Sequence, residues 1–384
     1  MEIKQSIPPI LRPEKVTPVT LTDLAEHFGL EYSATSNISL TGISMNTGDL
    51  RSGDLFVAMP GIKTHGANFI SKAQELGAVA VVTDSAGLQL ASKATVPVLV
   101  LEEPRKRLGE LAAFVYGNTP GNMPILFGTT GTNGKTSTSY LLEGLLRQLG
   151  RVTGLTSTAE RHIAGEVIVS RLTTPESPEM QALLARMREK GVTDVAIEVS
   201  AQALTQLRVD GIHFDVAGFT NLSHDHFDDY AGFDEYLKAK ARLFTTAKSN
   251  KAVICLDSSF GKDVASISEV PVVTIASHAD IEADWHVEVT NELPGKTEFE
   301  LVGPHGEHLI SSVPILGAHM AANAGLAIVM AVTAGYDFDV IAKAISNGID
   351  AYLPGRTELV SPEGAPNVYV DFGHSPDAFL NTLA

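Results

Sequence analysis

Between Pro124 and Leu149 the chain runs from an apolar stretch, through a glycine-rich loop, into a segment with helical spacing. The apolar stretch is Pro124-Ile125-Leu126-Phe127 and reads as a buried parallel strand. The loop is Gly128-Thr129-Thr130-Gly131-Thr132-Asn133-Gly134-Lys135-Thr136-Ser137, and beyond it Tyr140, Leu141, Leu142, Leu145 and Leu146 recur on one helical face. Strand, glycine loop, Gly-Lys-Thr and helix together describe a phosphate cradle. Loop and helix-end N–H groups would face phosphate oxygens, Lys135 would reach the terminal phosphates of a nucleoside triphosphate, and Thr136 would offer its hydroxyl to magnesium. The strict pattern has glycine where this chain has Thr129, so the spacing becomes Gly128-x-x-Gly131-x-x-Gly134-Lys-Thr. A ligand-free glycine turn capping a helix is the alternative, but it gives Lys135 no structural task.

At 384 residues the chain has room for two or three domains. A net charge of −17 argues against a general nucleic-acid binder, which needs a basic face. It does not exclude an anionic ligand, because backbone amides and one lysine make a local positive site. The single Cys255 lies in Ala252-Val253-Ile254-Cys255-Leu256, so it reads as a buried strand residue, and no intramolecular disulfide can form. There is no run of about eighteen apolar residues and no signal-peptide core at the N-terminus. The expectation is a cytoplasmic protein without a membrane partner.

Strands expected within Gly53–Gly61, at Ala78–Val82 and at Val98–Leu101 alternate with helices at Thr22–Phe28 and Phe69–Leu76. That alternation predicts a small N-terminal α/β domain over residues 1–120. The phosphate loop opens a central parallel-sheet domain over 121–353. Its further strands are expected at Val195–Val199, Val216–Thr220 and Ala252–Leu256, with helices at Pro178–Lys190 and Phe233–Phe244. Alternating apolar and polar residues at His286–Val289, Thr297–Leu301 and His308–Val313 predict an antiparallel meander, followed by an apolar helix over Ala321–Ala334. Residues 354–384 read as the start of a further Rossmann-like α/β domain that is incomplete in this sequence.

Three residues beyond the loop could join its chemistry. Glu198 ends a buried strand, where open α/β sheets bind ligands, and a carboxylate there can hold magnesium; a solvated strand-end glutamate is the alternative. His226 lies in the polar loop Thr220–His226, expected at the same sheet edge, although loop histidines are often only loop residues. Lys240 is by default a surface lysine. Near two magnesium ions a cationic lysine would be repelled, whereas a neutral amine can take up carbon dioxide and become an anionic carbamate.

With these motifs in order, the chain resembles the Mur ligase family, the ATP-dependent amino-acid ligases of peptidoglycan synthesis, and most of all its tripeptide-stage members. The phosphate loop has the family's form. Gly53–Gly61, Thr173-Thr174-Pro175-Glu176, Glu198-Val199-Ser200 with Gln206 and Arg208, Asn221-Leu222-Ser223 with Asp225-His226, Lys240, and Pro354-Gly355-Arg356 are all similar to its motifs.

The resemblance implies that ATP and Mg2+ are held by Gly128, Gly131, Thr132, Asn133, Gly134, Lys135, Thr136, Ser137, Asn221, Asn323 and Asp371. Thr136, Glu198, His226 and carbamylated Lys240 are implied as metal ligands, and Lys135, Glu198, His226 and Lys240 as the catalytic set. Ser44, Thr173, Thr174, Ser200, Gln206 and Arg208 are implied for the substrate, UDP-MurNAc-L-Ala-D-Glu. The implied activity joins its D-Glu carboxylate to L-lysine or meso-diaminopimelate through an acyl phosphate, in a cytoplasmic monomer. Departures from the family pattern fall at Asn46-Thr47-Gly48, Ala201-Gln202, Asp229-Tyr230, Met320 and Phe372-Gly373. A related ligase with a different carboxylate substrate, or a nucleotide-dependent binding module without ligase turnover, stays open.

Overall fold

A computed structural model describes residues 10–32, 37–223, 229–362, 364–373 and 379. The chain forms two compact units. One takes residues 1–123 together with 175–191 and 206–212, and the other takes 124–174, 192–205 and 213–384.

In the first unit, Gly42–Ser44, Asp54–Ala58, Ala80–Thr83 and Val98–Val100 pair in that order as a parallel sheet. Every residue of Asp54–Ala58 is buried, because both faces of the sheet are covered. Leu55 and Val57 point into one apolar cluster, with Leu24, Leu108, Leu111 and Ala182, while Phe56 and Ala58 point into another, with Ile70 and Ala73. The period of two in one strand thus feeds two cores. The helix Pro104–Tyr116 was not anticipated, although Leu108, Leu111, Ala112 and Val115 carry the spacing of a buried helix face.

The second unit is built on one sheet of eleven strands among the described residues. In chain order these are β1 (Ile125–Thr130), β2 (Thr153–Thr156), β3 (Glu160–Ile163), β4 (Glu166–Val169), β5 (Asp194–Glu198), β6 (Phe214–Phe219), β7 (Ser249–Cys255), β8 (Val272–Ala276), β9 (Trp285–Leu293), β10 (Lys296–Val302) and β11 (His308–Val313). Spatially they run β4-β3-β2-β5-β1-β6-β7-β8-β9-β10-β11. The core from β2 to β8 is parallel, and β9–β11 form the expected antiparallel meander. The mixed α/β class read from the sequence holds. The β3–β4 hairpin was not foreseen. Its turn, Ala164-Gly165, has positive φ at both residues, which suits a two-residue hairpin, but the dipeptide is a weak signal.

Two helices matter for the site. Helix α1 (Lys135–Gln148) follows the glycine loop, and α2 (Ala318–Ala334) packs beside it. Met320, Leu326, Ile328, Val329 and Met330 of α2 are all buried with Leu141, Leu142 and Leu145 of α1. Each such side chain contributes about 1.5–3 kcal/mol relative to exposure. The loop is therefore carried on a rigid foundation.

Candidate active site

The parallel register sets the frame. Glu198, last residue of β5, lies beside Thr129 of β1, and Phe219, last of β6, lies beside Thr130. The glycine loop, Glu198 and the segment after β6 therefore share one sheet edge, at the carboxyl ends of the strands.

Within the loop each glycine has its own reason. Gly128 sits inside β1, where a Cβ would stand 2.8 Å from the Phe214 ring, so its lack of a side chain serves strand packing. At Gly131 a Cβ would lie 1.8 Å from Thr220 Oγ1. Gly134 has φ of +84° and lies against Asn323, whose Oδ1 would be 2.4 Å from a Cβ. Loop and following strand are also tied by hydrogen bonds. Thr132 N donates to Asn221 O at 2.9 Å, Asn133 N donates to Asn221 Oδ1 at 3.0 Å, and Thr220 Oγ1 donates to Asn133 O at 2.6 Å. The amides of Thr132 and Asn133, expected to face phosphate, are thus occupied within the protein. The donor set for an anion shifts to the first turn of α1, whose N–H groups have no intrahelical acceptors.

Lys135 opens α1, and its Nζ donates to Thr132 O at 2.7 Å. Thr136 is buried and its Oγ1 donates to Glu198 Oε2 at 3.1 Å, while Arg356 Nη2 donates to Thr136 Oγ1 at 3.0 Å. Ser137 is buried in the first turn of α1. Asn323, on α2, accepts from Thr138 Oγ1 at 3.3 Å. Asp371 accepts from Thr357 N at 2.7 Å and Gly373 N at 2.6 Å, bracketing the turn that carries Arg356.

Glu198 is only 2% exposed, so it is not a solvated strand end. Its carboxylate accepts from Thr136, from Thr158 N at 2.8 Å and from Thr158 Oγ1 at 3.1 Å to Oε1. Thr174 Oγ1 donates to Glu198 O at 2.8 Å and accepts from Ser200 N at 3.1 Å. Thr173, Thr174 and Ser200 are thereby brought to the strand end that carries Glu198.

Lys240 is wholly buried rather than on the surface. Its Nζ donates to Gly131 O at 2.6 Å and stands 4.2 Å from the centroid of the Tyr236 ring. His226 lies outside the described residues. Ser44, Gln206 and Arg208 belong to the first unit, not to the unit holding the loop. There Arg208 Nε pairs with Glu176 Oε1 at 2.8 Å and its Nη2 donates to Gln206 Oε1 at 2.6 Å. Ser44 is buried and donates to Asn46 O at 2.9 Å.

A hydroxyl and a buried carboxylate 3.1 Å apart, at the start of a helix beside a phosphate loop, are hard oxygen donors of the kind magnesium takes. Among the described residues no group of three His, Cys, Asp or Glu side chains could hold a metal by itself. Residues that reading the sequence did not single out for this site are Arg356 and Thr158. Arg356 had a local signal in its Pro-Gly-Arg turn; Thr158 had none.

The fold and the site together define a phosphate-loop α/β protein with an acidic strand neighbour. Residues 129–331 match the Mur ligase middle domain, and residues 36–116 match the Mur ligase family, catalytic domain. The chain is 50% identical over 380 residues to a UDP-N-acetylmuramyl-tripeptide synthetase from Leifsonia xyli subsp. xyli, covering 98% of this chain and 74% of that protein. It is 41% identical over 375 residues to a UDP-N-acetylmuramoyl-L-alanyl-D-glutamate--2,6-diaminopimelate ligase from Streptomyces coelicolor, covering 97% and 72%. A solved structure of a UDP-N-acetylmuramoyl-L-alanyl-D-glutamate--2,6-diaminopimelate ligase superposes with a TM-score of 0.77 at 25% identity, over 96% of this chain and 74% of that one. The chain belongs to the Mur ligase family.

Proposed function

We propose that this protein is an ATP-dependent ligase that joins a diamino acid to the D-Glu carboxylate of UDP-MurNAc-L-Ala-D-Glu, in peptidoglycan synthesis. The observation that carries the reading is the buried Thr136–Glu198 pair at the first turn behind the glycine loop, in a chain so similar to the tripeptide synthetase. The Streptomyces relative is named for 2,6-diaminopimelate and the Leifsonia relative for no particular amino acid, so both L-lysine and meso-diaminopimelate remain acceptors to test.

In this reading a carboxylate oxygen of the substrate attacks the γ-phosphorus of ATP as the bond to ADP breaks, giving an acyl phosphate. The amine nitrogen of the acceptor then attacks the acyl carbon, phosphate leaves, and the nitrogen loses a proton. The first step brings two anions together, so its main requirement is positive charge. Lys135 exchanges its loop carbonyl for a phosphate oxygen, and Arg356, already on Thr136, supplies a second cation to the same place. Thr136 and Glu198 would hold a magnesium ion, with His226 and a Lys240 carbamate proposed for a second, and bound magnesium lends charge to the phosphate oxygens. Thr173, Thr174 and Ser200 would orient the muramoyl-dipeptide, with Ser44, Gln206 and Arg208 assigned to its remaining groups. The bidentate fork of Arg208 suits a carboxylate or phosphate.

The test is ADP release by the purified protein given ATP, magnesium and UDP-MurNAc-L-Ala-D-Glu, with each diamino acid in turn and mass detection of the product. Tripeptide with one of them establishes the ligase and names the acceptor. ADP release without any tripeptide overturns the reading in favour of a nucleotide-dependent module without ligase turnover.

A further inference from the structure

Thr158 is the middle residue of the three-residue turn between β2 and β3, in a segment without any nucleotide-binding pattern, yet it touches both halves of the site. Its backbone N–H donates to Glu198 Oε2 at 2.8 Å, and its hydroxyl lies 3.1 Å from Oε1 and 3.2 Å from Oε2. The same hydroxyl lies 3.0 Å from Thr173 Oγ1.

Donor bookkeeping gives these contacts a direction. In the metal-holding role given to Glu198 above, its carboxylate can only accept, so the single proton of the Thr158 hydroxyl goes to it. In the contact between the two threonines, Thr173 must then be the donor. Its own proton is consumed, and toward a ligand it is left with lone pairs. Thr136 is committed in the same way: its proton goes to Glu198 and it accepts from Arg356.

We propose that Thr158 is a positioning residue that holds the Glu198 carboxylate in its metal-facing orientation and makes Thr173 an acceptor, able to receive an N–H or O–H of the substrate. The chain Thr173–Thr158–Glu198–Thr136 links the muramoyl-dipeptide side of the site to its phosphate side through three hydroxyl groups and one carboxylate. Local anchoring makes the hub stiff. Ser157 Oγ donates to Glu160 O at 2.9 Å and accepts from Ala159 N at 3.2 Å and Glu160 N at 3.1 Å, so the turn carrying Thr158 is closed on both sides. The proposal rests on the functional reading above.

Thr158→Val keeps the shape and deletes the hydroxyl, whereas Thr158→Ser keeps the hydroxyl. ATP binding to the purified protein, by calorimetry with magnesium and again with EDTA, reads the Glu198 side independently of ligase turnover. Thr158→Val is expected to weaken binding by about tenfold with magnesium and to leave it unchanged in EDTA, with Thr158→Ser close to the parent. Equal affinity of Thr158→Val and the parent in magnesium overturns the proposal, as does an equal loss in EDTA or a Thr158→Ser as impaired as Thr158→Val. Matching thermal melts of Thr158→Val, Thr158→Ser and the parent guard against misfolding.

For the other side, KM for the muramoyl-dipeptide should rise in both Thr158→Val and Thr173→Val. The double variant should be no worse than the more impaired single one. Additive losses would cut the link between the two threonines. If the parent protein makes no tripeptide, the functional reading fails, and the magnesium-dependent binding still decides the role of Thr158 at Glu198.

Discussion

Lys135 is held at rest by the carbonyl of Thr132, three residues back, and so stands over the loop whose ligand it would meet. Replacing it with alanine removes the one cation built into the loop. Turnover of ATP by Lys135→Ala is expected to fall by roughly 10²–10³, the range for deleting one preorganised donor, and ADP release measures it. Lys240 makes a different prediction. Buried at Gly131 O and against the Tyr236 ring, its amine sits where a carbamate could face the phosphate loop. Lys240→Ala should lose activity and regain part of it with added short carboxylates, which would replace the missing anion. Full activity of that variant without any additive would remove the carbamate from the mechanism.

At the scale of elements, α1 is clamped to the β3–β4 hairpin by a partly buried polar cluster. His162 of β3 lies 3.1 Å from Glu143 of α1 and 3.3 Å from Glu160, and Tyr140 donates to Glu160 at 3.0 Å. Burial pulls the His162 pKa down, but its hydrogen bonds and proximity to Glu143 and Glu160 outweigh that and raise it above the ordinary 6.5. Burial pushes Glu143 up, but the hydrogen bond and charge of His162, with help from Thr153 and Arg147, outweigh it and lower Glu143 below 4.5. A raised histidine stabilises the fold fully below its unfolded pKa, and the effect is lost as pH rises through the folded value. A lowered carboxylate stabilises above its unfolded pKa and loses the effect as pH falls through the folded value. The clamp is therefore complete between about pH 4.5 and 6.5 and loosens on the alkaline side. Urea denaturation of the parent should show stability declining from pH 6 to pH 9, and His162→Gln should flatten that decline. An unchanged slope in the variant would assign the pH dependence elsewhere.

For the whole molecule, a ligand that binds only the folded state adds stability that grows with the logarithm of its concentration relative to Kd. ATP with magnesium at about a hundred times its Kd should add about 2.7 kcal/mol. At about 2–4 °C per kcal/mol for a domain of 150–250 residues, that raises Tm by roughly 5–10 °C. Calorimetric scans with and without ATP measure it, and Lys135→Ala should show little of the rise. The organisation of the chain also belongs to this scale. The helix Ser177–Glu189 lies in sequence between strands of the second unit, yet Ala182 and Ala185 are buried in a cluster of the first. Its apolar stripe announces a helix that must be covered, but a stripe does not say by which sheet.

What the sequence by itself determined are the features written in short stretches of chain. The period of two in the meander, the apolar runs of the parallel strands, the strand–glycine–Gly-Lys-Thr–helix junction and Glu198 at a strand end each depend on neighbours a few residues away, so local pattern suffices. Gly134 belongs there too, since a lysine behind spaced glycines carries its own chemistry. The tertiary structure alone decided which groups meet. Asn221 takes up two loop amides from 88 and 89 residues away, Thr158 grips Glu198 across 40, and Arg356 reaches Thr136 across 220. Hydrogen bonds of that span have no periodicity in the chain. They exist because parallel strands deliver their carboxyl ends to one edge, where side chains distant in sequence must satisfy one another once buried.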